Sequence, residues 1–144
     1  MKSIGARKYL PSSDPDCLVE FDSPKPVPGP FDLLVKVEAI GVNPVDTKVR
    51  KLLGDEIQNP PRILGWDAAG VVEAVGAEVT GFHVGDEVFY AGDVTRPGSN
   101  AEYQAVDFRT VAHKPSNWTS ADAAALPLVG ITAWELLFER MGAD

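Results

Sequence analysis

Thiolate and imidazole chemistry has little to work with in this sequence. Cys17 is the one cysteine, and His83 and His113 are the two histidines. A single thiol forms no intramolecular disulfide, and no set of cysteines is present to grip a structural zinc. The two histidines are far apart in sequence, and each fits a turn or a strand end better than a metal site. Cationic side chains gather at Lys48, Arg50 and Lys51. That group reads either as a solvated helix face or as a small positive patch facing an anionic cofactor.

The remaining charges narrow the function classes. The net charge is −8. A surface this acidic repels phosphate backbones, so a nucleic-acid partner is not expected. No apolar run approaches the ~18–20 residues that cross a bilayer. The N-terminal residues Met1 to Tyr9 have basic groups but no apolar stretch, unlike a secretory leader. The expectation is one cytoplasmic domain of 144 residues, long enough to bury a core without staples.

The elements that must position any chemistry are short. Thirteen glycines and twelve prolines punctuate the chain as in a barrel or sandwich of short strands. Strands are predicted over Lys2–Lys8, Cys17–Asp22 and Asp32–Val42. In the last, Leu33, Val35, Val37 and Ala39 alternate with Lys36 and Glu38. Four prolines within Ser23–Pro30 make an extended connector. A helix is predicted from Asn43-Pro44, with Asn43 as N-cap and Asp46 in the first turn, ending at Gly54. Asn59 to Gly65 reads as a rigid approach to a strand over Ala68–Val75, small and apolar enough to be buried on both faces. Further strands follow Gly85, at Ala101–Val106 and at Thr110–Lys114. A short capped helix over Ser120–Leu126 is predicted to stop near Pro127. A second, over Thr132–Met141, carries Ala133, Leu136, Leu137 and Met141 roughly in register. That stripe either packs on the strands of this domain or awaits a partner outside the chain.

Four segments then match one superfamily in order and spacing: Gly41-Val42-Asn43-Pro44-Val45-Asp46, Leu64-Gly65-Trp66-Asp67-Ala68-Ala69-Gly70-Val71-Val72, Val84-Gly85-Asp86-Glu87-Val88, and Leu126 through Trp134. Together they resemble the N-terminal, GroES-like domain of the medium-chain dehydrogenase/reductase superfamily, which holds the zinc-type alcohol dehydrogenases and the quinone oxidoreductases. The resemblance covers essentially the whole chain. It implies a mainly β fold: a GroES-like β-barrel with short helices, over residues 1–144. A C-terminal helix would lead to a Rossmann domain that binds NAD(P). No Gly-x-Gly-x-x-Gly flanked by strand and helix occurs, so that Rossmann domain is expected to be absent from this chain.

Departures from the zinc branch set the expected chemistry. Where zinc-dependent members place ligating cysteine, histidine and cysteine, the resemblance puts Asn43, Trp66 and Leu128. An amide, an indole and an isobutyl group do not hold a catalytic zinc. The segment after Tyr90 also lacks the four-cysteine lobe. The zinc-free branch implies NADPH-dependent reduction of quinones or α,β-unsaturated carbonyls, with no metal. By the same resemblance Asn43 lies beside nicotinamide and substrate. Lys48 stands where a proton-relay or cofactor-contacting residue is found, and Thr132 stands near the nicotinamide amide. Trp66, Tyr90 and Leu128 are expected to contact substrate, although Trp66 also fits ordinary core packing and Tyr90 fits barrel closure. The resemblance places Asp67 against a basic partner behind the site and makes Asp46 a capping or supporting group. The complete protein would be a homodimer acting on a small molecule. The alternatives are a fragment of a zinc-dependent alcohol dehydrogenase and a non-catalytic GroES-like binding module. Elemental analysis of the purified chain separates the first alternative from the zinc-free reading. The expected result is no stoichiometric zinc, and one zinc per chain would overturn the assignment of Asn43, Trp66 and Leu128.

Overall fold

Strand β3 (Asp32–Gly41) shows how the pattern becomes structure. Leu33 and Val35 point inward and are fully buried, while Lys36 and Glu38 face out. Leu34 is buried too, where the register against the neighbouring strand shifts between Leu34 and Val35. The computed structural model of the chain describes residues 1–143. Around β3 lie β1 (Lys2–Ala6), β2 (Val19–Asp22), α1 (Pro44–Leu52), β4 (Arg62–Ile63), β5 (Asp67–Val75), β6 (Glu87–Ala91), β7 (Tyr103–Asp107) and β8 (Val111–His113). Two helices follow, α2 (Ser120–Ala124) and α3 (Pro127–Trp134). A π-helical stretch, Glu135–Arg140, continues from α3.

The strands form two antiparallel sheets, ordered β2-β1-β4 and β7-β3-β5-β6-β8. The fold is mainly β, as expected, but the two sheets are not zipped into a closed barrel. One isolated bridge, Ser3 to Ala101, joins them, helped by loop bonds such as Ile4 N–H to the Asn100 carbonyl at 2.8 Å. The resulting seam opens as a cleft lined by Ile4, Leu18, Ile40 and Val42. Bidentate bonds from Arg96 to Asp32, both 2.8 Å, tie the loop after β6 to the start of β3.

Three apolar clusters hold the domain. Leu33, Val35, Ala68, Val72, Val88, Tyr90 and Val106 fill the five-stranded sheet's inner face. Ala6, Leu64 and Trp66 pack beneath Val45, Val49 and Leu53 of the α1 region. Ala69, Ala123 and Ala124 join α2 to the sheet. Burying each large aliphatic or aromatic side chain contributes on the order of 1.5–3 kcal/mol.

Several boundaries differ from the sequence reading. The strand expected over Lys2–Lys8 ends at Ala6, and the one expected from Ala101 begins at Tyr103, because Ala101 is spent on the bridge to Ser3. Arg62–Ile63, read as an approach, pairs with β1 through Ala6 and Gly5. Pro127 starts a helix instead of stopping one. A proline at the first helical position has no N–H to leave unpaired and its φ already suits the helix. The helical stretch therefore begins five residues before the expected Thr132. The stripe that includes Leu136, Leu137 and Met141 is exposed, so it does not pack on this domain's strands.

Gly65 carries the turn into β5 at φ +85°, and a Cβ there would meet the Asn100 side-chain oxygen at 2.3 Å and the Ser99 hydroxyl at 2.9 Å. Gly65→Ala is expected to cost about 2–4 kcal/mol from the left-handed backbone plus crowding. A urea titration would show this as a lower midpoint at an unchanged slope, and a wild-type midpoint would contradict it.

Candidate functional site

The site is built where β3 turns into α1 beside the start of β5. Antiparallel register sets Gly41 opposite Asp67. Only a glycine fits at 41: a Cβ would lie 2.3 Å from the Ala124 carbonyl oxygen and 3.1 Å from the Asp67 Cβ. Two residues on, Asn43 takes an extended conformation at the helix N-cap, and Pro44 occupies the first turn of α1. The Asn43 N–H donates to Asp46 Oδ2 at 2.6 Å. The Asn43 side chain faces the Asp46 N–H in the reciprocal half of a capping box. That N–H itself bonds the Asn43 main-chain carbonyl at 3.0 Å.

Asp67 is the centre of the arrangement, and only 1% of it is exposed. Asn43 Nδ2 donates to its Oδ2 at 2.8 Å. The Leu128 N–H donates to both carboxylate oxygens, at 3.2 and 3.1 Å. Leu128 is the second residue of α3, and the N-cap residue, Leu126, has no side chain able to accept a hydrogen bond. Asp67 therefore caps α3 from a distant strand, with its charge at the positive end of the helix dipole. The expected basic partner is absent: among the described residues no Lys, Arg or His forms an ion pair with Asp67. Burial pushes the Asp67 carboxyl above its ordinary value of 3.8, against the opposing pull of the Leu128 and Asn43 hydrogen bonds.

The other sequence-expected residues are distributed around this node. Trp66 is 3% exposed, with its ring in the cluster beneath α1 and no partner for Nε1. Tyr90 is also buried, and its hydroxyl donates to Gln104 Oε1 at 2.9 Å in the interior. Leu128 meets the node through its main-chain N–H, with a half-buried side chain. Thr132 is exposed, and its hydroxyl donates to the Leu128 carbonyl at 2.8 Å, one turn back in the same helix. Lys48 is exposed on α1. Arg50 of the same cationic group stands over the Tyr9 ring, 5.8 Å from its centre.

Sequence reasoning missed the Leu128 N–H and the α3 cap, because a main-chain donor has no residue signature. It also missed that His83 and His113 share a neighbour: their Nδ1 atoms lie 3.8 and 3.9 Å from Asp86 Oδ2. Among the described residues no three His, Cys, Asp or Glu side chains are grouped to hold a metal ion. None of their helices is long and apolar enough to cross a membrane.

Two clefts flank the β3–α1 corner. One of about 570 Å³ runs along Ile4, Leu18, Ile40 and Val42. A second, of about 250 Å³, is lined by Cys17, Asp46, Thr47 and Arg50 and shares Leu18, Val42 and Asn100 with the first. A third, of about 560 Å³, lies between β6, β8 and α3, with Phe89, Trp118, Pro127 and Ile131 on its walls. Their linings are largely apolar, suited to a flat uncharged ligand.

Residues 29–116 match the alcohol dehydrogenase GroES-like domain family. The chain belongs to that family. It is 46% identical, over 142 residues, to the zinc-type alcohol dehydrogenase-like protein of Staphylococcus epidermidis, covering 99% of this chain and 41% of the relative. A solved Rhizobium etli CFN 42 protein assigned to the zinc-dependent alcohol dehydrogenases superposes with a TM-score of 0.92 at 49% identity, over 99% of this chain and 41% of that one. The quinone oxidoreductase of Escherichia coli, solved with NADPH, superposes with a TM-score of 0.82 at 28% identity, over 100% of this chain and 42% of that one. The family is one of oxidoreductases in the medium-chain dehydrogenase/reductase superfamily, and this chain spans about two fifths of the length of these relatives.

The unpaired buried carboxylate gives a signed pH dependence. An acid whose folded-state value is raised keeps its proton longer in the folded chain, so stability falls as pH rises from 3.8 through that raised value and is level above it. Asp32 has the opposite sign. Hydrogen bonding to Arg96 lowers it, so its contribution is present above 3.8 and lost as pH falls through its folded value. Denaturation of wild type and Asp67→Asn across pH 3–8 is expected to show the decline above the ordinary carboxylate range in wild type alone. Parallel profiles would sink this account.

Proposed function

We propose that the chain is the substrate-binding domain of an oxidoreductase that uses NADPH, without zinc, to reduce quinones or α,β-unsaturated carbonyls. The observation that carries this reading is the chemistry of three positions. Asn43, Trp66 and Leu128 stand where the zinc branch has its ligands. Asn43 and the Leu128 main chain are engaged with Asp67, and the Trp66 ring is packed beneath α1. This donor set does not fit a catalytic zinc. The bound NADPH of the E. coli quinone oxidoreductase supports the choice of cofactor.

NADPH, held mainly by a second domain outside this chain, supplies a hydride. A quinone or enone is electron-poor enough to accept it without a metal Lewis acid, provided the oxygen that gains charge is met by donors. Asn43 has one Nδ2 hydrogen on Asp67 and a second to offer. Lys48 presents an ammonium from the exposed face of α1, for the same oxygen or for a cofactor phosphate. Thr132, exposed one helical turn past Leu128, would meet the nicotinamide amide. Val42 and Leu18 offer exposed apolar surface against which a flat ring could lie. Trp66 packs in the cluster beneath α1, and Tyr90 borders the third cleft, between β6, β8 and α3.

The likeness to the Rhizobium etli protein assigned to the zinc-dependent alcohol dehydrogenases favours a second reading, a zinc-dependent alcohol dehydrogenase. The assay that decides is steady-state oxidation of NADPH by the full-length polypeptide with a panel of quinones and enones, run with and without chelator. Turnover unaffected by chelator is expected. Activity confined to alcohol oxidation, and lost with chelator, would overturn the proposal. The 144-residue chain alone is expected to bind NADPH weakly in a calorimetric titration.

A further inference from the structure

We propose that Asp67 is a positioning residue, which orients the Asn43 amide so that one Nδ2 hydrogen is left free to donate to the carbonyl oxygen undergoing reduction. The inference rests on the reductase reading and names how that site is held.

An amide of asparagine is ambiguous by itself, since either end can face a partner. Here the surroundings remove the ambiguity. An ionised carboxylate is an acceptor only, so the end turned to Asp67 Oδ2 at 2.8 Å must be the NH2 group. The opposite end makes no cap bond, since the Asp46 N–H is bonded to the Asn43 main-chain carbonyl at 3.0 Å. One of two N–H bonds is committed. What the NH2 group of the half-buried side chain has left is a single donor. Asp67 in turn has little freedom to move. It is held from the α3 side by the Leu128 N–H at both oxygens and enclosed by the close approach of Gly41 and Ala124. The donor is therefore fixed by contacts from β5, α1 and α3, as a preorganised site requires. Lys48, exposed on a flexible stem, has no comparable support.

The decisive comparison is an exchange of the two side chains in the full-length polypeptide. Asp67→Asn lets the Asn43 amide turn either way, since the new amide can donate as well as accept. Its kcat with the best quinone or enone is expected to fall about tenfold or more while KM for NADPH stays within about twofold. The exchange Asn43→Asp with Asp67→Asn restores a hydrogen bond between the positions with its direction reversed, and Asp remains a good N-cap. It is expected to recover the thermal midpoint and not kcat, because position 43 then offers a carboxylate where an N–H stood. Recovery of kcat together with the midpoint would show that Asp67 merely holds the fold, and an unchanged kcat in Asp67→Asn would equally overturn the proposal. A second measurement needs no variant. In the 144-residue chain, one of the two Asn43 side-chain amide protons should exchange slowly with solvent and the other quickly. Equal, fast exchange of both overturns the assignment. If the full-length wild type reduces no quinone or enone, the reductase reading fails by itself, and the exchange measurement still decides whether Asp67 orients Asn43.

Discussion

A buried carboxylate with no Lys, Arg or His paired to it among the described residues is the constraint on which the corner of β3, α1 and α3 depends. Taking an unpaired charge out of water costs several kcal/mol. Hydrogen bonds to a charged group return about 1.5–3 kcal/mol each, and Asp67 has donors from Asn43 and Leu128. The helix dipole adds to this, since the Leu128 N–H belongs to the first turn of α3 and Pro127 before it has none to give. Asp67 and α3 thus satisfy each other. The helix has no side chain at its own N-cap to close its N-terminus, and the carboxylate has no base to neutralise it.

That mutual dependence links elements far apart in the chain. β5 supplies Asp67, the β3–α1 corner supplies Asn43, and α3 supplies the main-chain donor. The two sheets behind them are joined mainly by loop bonds and one bridge, so the seam between them stays open. The open seam is useful, because it leaves apolar walls from Leu18 and Val42 next to the polar corner. A polar node beside an apolar cleft is the arrangement that the proposed reduction of a conjugated carbonyl would use, with apolar surface for the ring and a fixed donor where negative charge would appear.

The interior groups at 66 and 90 show a division of labour. Trp66 is committed to the cluster that seats α1, and Tyr90 to a buried bond with Gln104. The exposed side chains of Val129, Ile131 and Trp134 in α3, and of Phe138 in the π-helical stretch after it, are apolar surface that the other described residues do not cover.

The family, the mainly β fold and most strand positions were legible in the sequence. Those features are written in local patterns: alternation in β3, the Asn-Pro start of α1, and ordered motifs along the chain. It did not determine where the last helices begin, because Pro127 serves as a breaker or as a first helical residue according to what precedes it. Nor did it show what Asp67 touches. That depends on the register that sets Gly41 opposite Asp67 and on the arrival of a main-chain N–H from sixty-one residues away. Donors of that kind have no side chain to betray them, so only the tertiary structure decides that the buried acid is held by an amide and a helix end and not by a base.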